Sequence, residues 1–386
     1  MKLYKLSGAI TGAAFLMATS AIGPGFINNT VLFTGKLGAS FGFVILVSII
    51  LDIIAQMNIW RIVSLNGKHA QDIVADTSPI ASIVLILLVS IGGFLFNIGN
   101  IAGAALGLQV FTGCNLSAGA LFSMAIAVIL FMYKNIGVAM DAMTKPLGML
   151  MIALTLYVCF YSKPDLKAAF TKTIFPNHID AMSIVTIVGG TVGGYISFAG
   201  AHRLLESGIM GSGQTKKVTR GAVSGILIAS IMRYILFLAA FGIVSSGIVL
   251  SQNNPAQTVF YSAAGNIGNK LFGIVLWSAA ITSVVGSAYT SISFLQTLHR
   301  SIKSNNHGVI IGFIILSTLV FLYFGNPVSL LKKAGIFNGM ILPLAMSILL
   351  YSVHKSQYPT WLKVGGWLLV AAMTWLSIIS MESLIS

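Results

Sequence analysis

Charged side chains are scarce in this sequence, and acidic ones are the scarcest. There are 8 Asp and Glu in 386 residues, and charged residues of both signs make up 8% of the chain, whereas soluble domains average about 25%. Apolar residue types account for 56%, which leaves too little polar surface to cover a water-soluble protein of this size. The composition excludes a soluble fold and predicts an integral membrane protein.

Cysteine and motifs with reactive chemistry are also scarce. The two cysteines, Cys114 and Cys159, lie in or beside apolar segments and lack the spacing of a metal site, so we interpret them as packing residues. The sequence contains no phosphate-binding loop, no nucleophile with a partner base and no metal-ligating cluster. These absences argue against an enzyme, and we expect no cofactor.

The positive charge of the chain is spread thinly. The 22 Lys and Arg give a net charge of +14, but they are scattered between apolar runs, so we expect no nucleic-acid partner. With the N-terminus inside, about twice as many Lys and Arg fall inside as outside. We therefore expect a multi-pass protein of the inner (plasma) membrane, monomeric in the lipid bilayer, with a cytoplasmic N-terminus and an external C-terminus.

Apolar runs of about 20 residues, the length that crosses a bilayer, predict an all-α membrane protein with eleven spans. The predicted spans are 8–34, 38–63, 79–112, 117–133, 143–160, 181–207, 217–250, 258–298, 307–324, 335–353 and 361–383.

A long polar connection divides these spans into five and five. Because five is odd, the two halves would lie in opposite orientations, as in the inverted repeats of many secondary transporters. The predicted units are a first repeat, an external connection, a second repeat and a final helix, at 1–160, 161–180, 181–353 and 354–386.

Each half opens with a helix that glycine and proline interrupt in the middle of the span. The segment IGPGFINNT contains Gly23, Pro24 and Gly25 in mid-span. In VGGTVGGYISFAG the matching place is occupied by Gly189, Gly190, Gly193 and Gly194. A helix breaks at membrane depth only where protein or a water-filled cavity satisfies the freed backbone groups. The paired breaks predict a central binding site; the alternative is that the small residues serve close helix packing.

These motifs resemble the NRAMP family of metal-ion transporters, which have a LeuT-like fold. The segments GPGFI, GASFGF, IAGAALGLQVFTG and GGTVGGY occur in the order and spacing of that family. The resemblance implies a LeuT-like 5+5 inverted repeat with the first and sixth helices broken. It also implies secondary active transport by alternating access.

The metal-binding positions of the family are not kept. Ile27 stands where the family has the metal-ligating Asp of the first broken helix, and Gly193 where it has the Met of the sixth. The Asp and Glu that help to move the coupled proton fall on Asn97 and Asn100. Because a divalent cation usually needs an anionic ligand, this neutral set favours a polar organic solute.

The chain thus looks like a divergent NRAMP-related branch, similar to bacterial membrane proteins found beside enzymes that degrade 5-oxoproline. That similarity implies 5-oxoproline or an amino-acid-like solute as substrate, with H⁺ or Na⁺ as the coupling ion. The alternatives are a divalent metal transporter for Mn, Fe or Mg and a membrane sensor that does not transport. The predicted substrate-binding residues are Gly25, Ile27, Asn28, Asn29, Thr30, Asn97, Asn100, Gly190, Thr191, Gly193, Gly194, Tyr195 and Ser197.

Five further polar residues are candidates for ion coupling or gating. Asp52 is the one deep acidic residue, and charge at membrane depth indicates function by default; the alternative is a pair with a neighbouring helix, such as with Arg233. Arg233 is the one deep basic residue; the two interpretations are a bond to a substrate carboxylate and a structural role, and we favour the structural role because the resemblance places the seventh helix off the site. His202 and Glu206 at the end of the sixth span, and Asn338 near the start of the tenth, are predicted gate residues; the alternative for His202 and Glu206 is a solvated helix end.

Overall fold

The computed structural model describes residues 22–132, 136–353 and 358–385, except for the side chains of 136–145, 300 and 383–385. Every regular element over these residues is helical, and two short 3-10 turns, Gly38–Ser40 and Ser212–Gln214, join helices. The helices are α1 Pro24–Leu37, α2 Phe41–Asn66, α3 Ala70–Ala75, α4 Pro79–Thr112, α5 Leu116–Met132, α6 Ile136–Ser162, α7 Leu166–Ile174, α8 Ala181–Thr191, α9 Ile196–Glu206, α10 Thr215–Ser245, α11 Pro255–Leu295, α12 Arg300–Ser304, α13 Asn306–Phe324, α14 Pro327–Tyr351 and α15 Thr360–Ile385.

Each of the eleven predicted spans overlaps one or more of these helices. In the described part of the chain, eight helices are long and apolar enough to cross a bilayer, or nine when a pair bent by 108° is taken as one span. That pair is Pro146–Ser162 with α7, and α5 is a shorter apolar helix. The all-α membrane fold is confirmed, although the first part of span 8–34, residues 8–21, lies outside the described residues.

Local signals explain why some helix ends match the sequence prediction. The α4 helix occupies the predicted range because Ser78 accepts a bond from the Ala81 N–H at 3.3 Å, with Pro79 in the first turn. The same helix ends where Gly113 adopts φ 79°, a conformation that favours glycine.

The predicted start of the tenth span is wrong. The tenth span begins at Pro327 rather than at 335, because the Asn326 side chain accepts the Ser329 N–H at 3.0 Å and caps the helix. Asn338 therefore lies in the middle of α14 instead of near its start. The polar connection 161–180 contains the helix α7, which Asp165 caps.

The first described helix begins where the sequence places a break. Gly23 is extended (φ −98°, ψ −173°), and α1 starts at Pro24. Pro24 packs against α4 at Gly103, where a side-chain carbon would lie 2.1 Å from the proline ring. The α1 helix thus starts in the interior of the protein, at a contact that admits no side chain on Gly103.

The sixth predicted span is two helices, as expected. The α8 helix ends at Thr191, and α9 begins at Ile196 after a turn in which Gly194 has φ 54°. The α8 helix packs tightly on α14, since a side-chain carbon on Gly189 would lie 2.0 Å from the Gly335 carbonyl oxygen and 2.3 Å from the Gly339 nitrogen. Small residues thereby let the broken helix approach its neighbour at backbone distance.

Candidate substrate site between the two broken helices

The two breaks meet at Asn100 of α4. A side-chain carbon at Gly23, just before α1, would lie 3.7 Å from Asn100 Oδ1 and 3.2 Å from Ser283 Oγ of α11. The hydroxyl of Tyr195, in the turn between α8 and α9, interacts with the side chains of Asn100 and Ser287. Asn100 therefore contacts both breaks, and α11 supplies two hydroxyl groups to the junction.

Several polar atoms at this junction and on the adjoining α1 helix are buried and lack a hydrogen-bond partner among the described residues. They are Asn28 Oδ1, Asn29 Oδ1, Asn100 Nδ2 and Ser283 Oγ. Buried polar atoms are almost always bonded in stable proteins, so unbonded ones call for an explanation. All four belong to neutral amide or hydroxyl groups, which donate or accept hydrogen bonds without carrying a charge.

The α1 residues differ in what they offer to a ligand. The Asn28 amide donates to the Pro24 carbonyl at 3.2 Å and the Asn29 amide to the Leu331 carbonyl at 3.4 Å, which leaves each side-chain oxygen free. The Thr30 hydroxyl donates to the Phe26 carbonyl at 2.7 Å, within its own helix.

Ile27 and Gly25 complete the predicted set on α1. Ile27 is fully buried in an apolar cluster with Phe26 and Leu331, so it presents no polar group. Gly25 is partly exposed and lies near the Asn29 amide, 3.9 Å from where a side-chain carbon would be.

The glycines of the sixth span serve different purposes. Gly190 is partly exposed, and a side-chain carbon there would meet no atom within 4 Å, so it borders open space. Gly193 and Gly194 pack against Asn338, whose Oδ1 would be 1.8 Å from a side-chain carbon on Gly194. The Ser197 hydroxyl donates to the Val192 carbonyl at 3.0 Å across the turn.

Asn338 is a packing partner of the second break. Its amide donates to the carbonyls of Gly92 at 3.1 Å and Ala334 at 2.8 Å, while its oxygen has no partner. Its position in the middle of α14, against Gly194, differs from the expected place near the start of a helix. Its predicted gate function stays a prediction.

Asn97, one turn before Asn100, has both ends of its amide bonded to other helices. It donates to Ser317 Oγ of α13 at 2.7 Å and accepts from Ser287 Oγ of α11 at 2.8 Å. Side-chain hydrogen bonds of this kind join helices inside membranes. In this arrangement Asn97 connects three helices and leaves no free group for a ligand.

Arg233 lies at the second break, which corrects our expectation of a position away from the site. Its Nη1 donates to Thr191 Oγ1 at 2.9 Å, and its guanidinium lies 4.2 Å from the centre of the Phe26 ring on α1. It therefore contacts both broken helices. Asp52 of α2 faces Arg233 and Thr191, although its oxygens accept no hydrogen bond from the described residues.

His202 and Glu206 lie on α9, beyond the second break. The His202 ring contacts that of His69, with 4.4 Å between ring centres, and stacks on Phe294. Glu206 pairs with Arg203 at 3.6 Å and accepts from the Tyr289 hydroxyl at 3.3 Å.

The sequence reasoning missed the serines of α11. Ser283, Ser287 and Ser291 recur every fourth residue, a spacing that puts them on one helix face. That polar stripe in an apolar helix was the available signal. The described residues contain no group of three or more His, Cys, Asp or Glu that could hold a metal ion.

Comparison of sequences relates the chain to one transporter family. The family model Nramp, described as natural resistance-associated macrophage protein-like, matches residues 14–383. The Bacillus subtilis (strain 168) uncharacterized membrane protein YcsG is 51% identical over 370 residues, covering 94% of this chain and 92% of that protein. The divalent metal cation transporter MntH of Yersinia pestis (strain Pestoides F) is 21% identical over 313 residues, covering 73% and 71%.

Comparison of structures finds transporters of the same architecture. A manganese transporter from Eremococcus coleocola superposes with a TM-score of 0.76 at 16% identity, covering 98% of this chain and 87% of that one. MhsT in complex with L-phenylalanine superposes with a TM-score of 0.66 at 17% identity, covering 96% and 98%. These likenesses show a shared LeuT-like fold.

Proposed function

The chain belongs to the Nramp family, and from that premise we propose that it is a secondary active transporter of a small polar organic solute. The solute is 5-oxoproline or an amino-acid-like molecule rather than a transition metal. It moves by alternating access between the two broken helices, coupled to H⁺ or Na⁺. We place the protein in the plasma membrane with its N-terminus in the cytoplasm.

The observation that most directly supports an organic solute is the chemistry of the junction at Asn100. The free groups there are amide and hydroxyl groups, and the family's Asp and Met positions are occupied by the buried Ile27 and by Gly193, which packs against Asn338. A dehydrated divalent cation would find no carboxylate or thioether in this set, whereas neutral donors and acceptors suit a solute with its own amide and carboxylate. The N–H groups at the start of α1, beside the same junction, also favour an oxygen acceptor of such a solute.

The second candidate is divalent metal transport. The MntH relative, by its name, transports divalent metal cations, and the Eremococcus coleocola protein is named a manganese transporter. Backbone carbonyls freed at the breaks, together with the amide oxygens of Asn28 and Asn29, would supply the oxygen ligands. This candidate requires a metal to bind without an anionic ligand at the junction.

Uptake into proteoliposomes separates the two candidates. Purified full-length protein is assayed with labelled 5-oxo-L-proline, L-proline, L-glutamate and manganese, beside Asn29→Ala and the control Asp76→Asn, which alters an exposed carboxylate paired with Lys68. We expect saturable uptake of an organic solute that Asn29→Ala weakens about tenfold, the loss of roughly one hydrogen bond. Saturable manganese uptake abolished by Asn29→Ala would overturn the proposal in favour of the metal, and no uptake of any probe would overturn it in favour of a sensor.

A further inference from the structure

Asp52 and Arg233 form an incompletely bonded pair of opposite charges in the protein interior. They are 1% and 2% exposed. Both oxygens of Asp52 lack a hydrogen bond, and so do Nε and Nη2 of Arg233, among the described residues. A buried charge without bonds is costly, and a directly bonded pair would reduce that cost. The two opposite charges face each other, yet both oxygens of Asp52 and two nitrogens of Arg233 have no hydrogen bond among the described residues.

The free atoms of Arg233 have the geometry of a carboxylate receptor. Nε and one terminal nitrogen of a guanidinium donate two parallel bonds to the two oxygens of a carboxylate. In Arg233 the other terminal nitrogen, Nη1, donates to Thr191, which holds the guanidinium in place. The remaining pair of donors, Nε and Nη2, is free, and we call this pair the fork. No carboxylate of the described protein fills it.

The position of Arg233 connects this fork to the transport site. Thr191 is the last residue of α8, and its own hydroxyl donates to the Ile187 carbonyl at 2.8 Å. The Phe26 ring of α1 covers the guanidinium, with its centre 4.2 Å away. Because α1 begins at the junction of the breaks, a movement of α1 away from Arg233 would uncover the nitrogens of the fork.

We propose that Arg233 binds the carboxylate of the transported solute and that Asp52 binds the proton transported with it. This inference rests on the proposed function and names its substrate class and its coupling ion. The groups that face Asp52 are Arg233 from α10 and the Thr191 hydroxyl from α8. The Phe26 ring of α1 contacts the pair through Arg233.

The exchange of counter-ions keeps the buried site neutral at each stage. In the empty site, ionised Asp52 balances Arg233. When the solute carboxylate bonds to the fork, one proton from the aqueous side attaches to an Asp52 oxygen, so that a guanidinium, a carboxylic acid and a carboxylate remain. Release reverses both events on the other side, and one proton crosses with each carboxylate. By linkage, the proton raises solute affinity by the factor by which the solute raises proton affinity.

The same charge balance distinguishes carboxylates that need a proton from those that do not. A zwitterionic amino acid brings an ammonium group that neutralises Asp52 itself and removes the need for a proton. A solute whose nitrogen is tied up as an amide, such as 5-oxoproline, carries a single negative charge. We therefore expect proton-driven accumulation of a monoanionic carboxylate such as 5-oxoproline, and no proton-driven accumulation of L-proline.

The test uses full-length protein in proteoliposomes with labelled 5-oxo-L-proline. Counterflow without a gradient reports binding and exchange, and an external pH of 5.5 against an internal pH of 7.5 reports coupling. We expect accumulation of about tenfold per pH unit for one proton per solute, with no requirement for sodium. Asp52→Asn should keep counterflow within about twofold and lose accumulation, because its amide imitates the protonated acid, whereas Arg233→Gln should lose both.

Two matched substitutions control for the removal of charge. Asp76→Asn changes an exposed carboxylate, and Arg220→Gln changes an exposed arginine on α10, the helix of Arg233. Both should behave as wild type. Retained counterflow by Asp52→Asn shows that this variant is folded. A further measurement uses the wild-type protein alone: the Kd for 5-oxo-L-proline, measured by calorimetry, should decrease as the pH falls from 8 to 5.5.

The failures are distinguishable. Wild-type counterflow with sodium-driven or pH-independent accumulation would overturn the proton assignment while the organic-solute transporter stands. If Asp52→Asn accumulates the solute as the wild type does, then Asp52 does not bind the transported proton. If Arg233→Gln keeps its counterflow, then Arg233 does not bind the solute carboxylate. Manganese uptake without carboxylate counterflow would overturn the proposed function together with this inference.

Discussion

The two broken helices are stabilised in different ways. At the second break, neighbouring helices bond to the broken segment: Arg233 donates to Thr191, and the Trp60 indole of α2 donates to the Ser197 carbonyl at 3.0 Å. At the start of α1, the polar side chains mostly bond to the backbone of their own helix, and close packing of Pro24 on Gly103 supplies the contact. Side chains of other helices hold the second break in place, whereas close packing of Pro24 against Gly103 holds the start of α1.

This difference separates two tasks that a transport site must perform. The start of α1 keeps the side-chain oxygens of Asn28 and Asn29 free, so it offers hydrogen bonds to a solute. The second break adjoins Asp52 and Arg233, so its surroundings contribute charge. The proposed function assigns recognition of the polar solute to the start of α1 and ion binding to the surroundings of the second break.

The largest expected effect comes from a side chain added at each break. Gly194→Ala should lower the free energy of unfolding by about 2–3 kcal/mol, because Gly194 has φ 54° and the new carbon would overlap Asn338 Oδ1. Gly25→Ala should change it by less than about 1 kcal/mol, since its nearest neighbours are 3.8–4.0 Å away. Thermal unfolding in detergent measures both. Equal losses would contradict the claim that the second break is the more tightly fixed.

The sequence predicted the spans and the two breaks because their signals are local. Apolar length set the range 79–112, and Ser78 with Pro79 marked its start. The start of the tenth span was misplaced because Lys332 and Lys333 follow in the second turn of the helix that Asn326 caps, which lowers the apolar signal there.

The site was predictable only in part, because a local sequence pattern does not indicate which helices pack against each other. The glycine clusters located the breaks, and the family comparison pointed to Asn100. The bonds that decide its neighbours come from residues far away in sequence, such as Ser283 and Ser287 on α11. Arg233 was expected away from the site because the resemblance to a LeuT-like fold places the seventh helix there, and a mostly apolar helix does not itself reveal which neighbours its one deep charge contacts.

An intermediate effect should distinguish the two asparagines of α4. Asn97→Ala leaves Ser317 and Ser287 without their shared partner, so it should cost about 1 kcal/mol of stability and change solute affinity by less than about twofold. Asn100→Ala removes the residue that contacts both breaks and should weaken affinity by about tenfold.

Thermal unfolding and counterflow, performed on both variants, check this pair. If Asn97→Ala lowers affinity as much as Asn100→Ala does, then Asn97 belongs to the binding surface and the site extends further toward α13. The opposite pattern would confine the site to the junction of the two breaks.

The smallest change in stability is expected at the C-terminal ends of α1 and α9, far from the breaks, where the two helices should respond alike. The α1 helix ends at an ion pair between Lys36 and Asp180 at 2.9 Å, and α9 at the pair between Arg203 and Glu206. Both pairs are substantially exposed, so Lys36→Gln and Glu206→Gln should each change stability by about 0.5 kcal/mol or less, and less at high salt.

Unfolding at low and high salt, together with counterflow rates, completes this test. Equal and small stability changes would localise the difference between the half-helices to the breaks themselves. The Tyr289 hydroxyl can still donate to the amide oxygen of a Gln at position 206, so stability alone will not report a gate there. A counterflow rate altered by Glu206→Gln with unchanged stability would therefore support the predicted gate, because a solvated ion pair without a gating role would leave the rate unchanged.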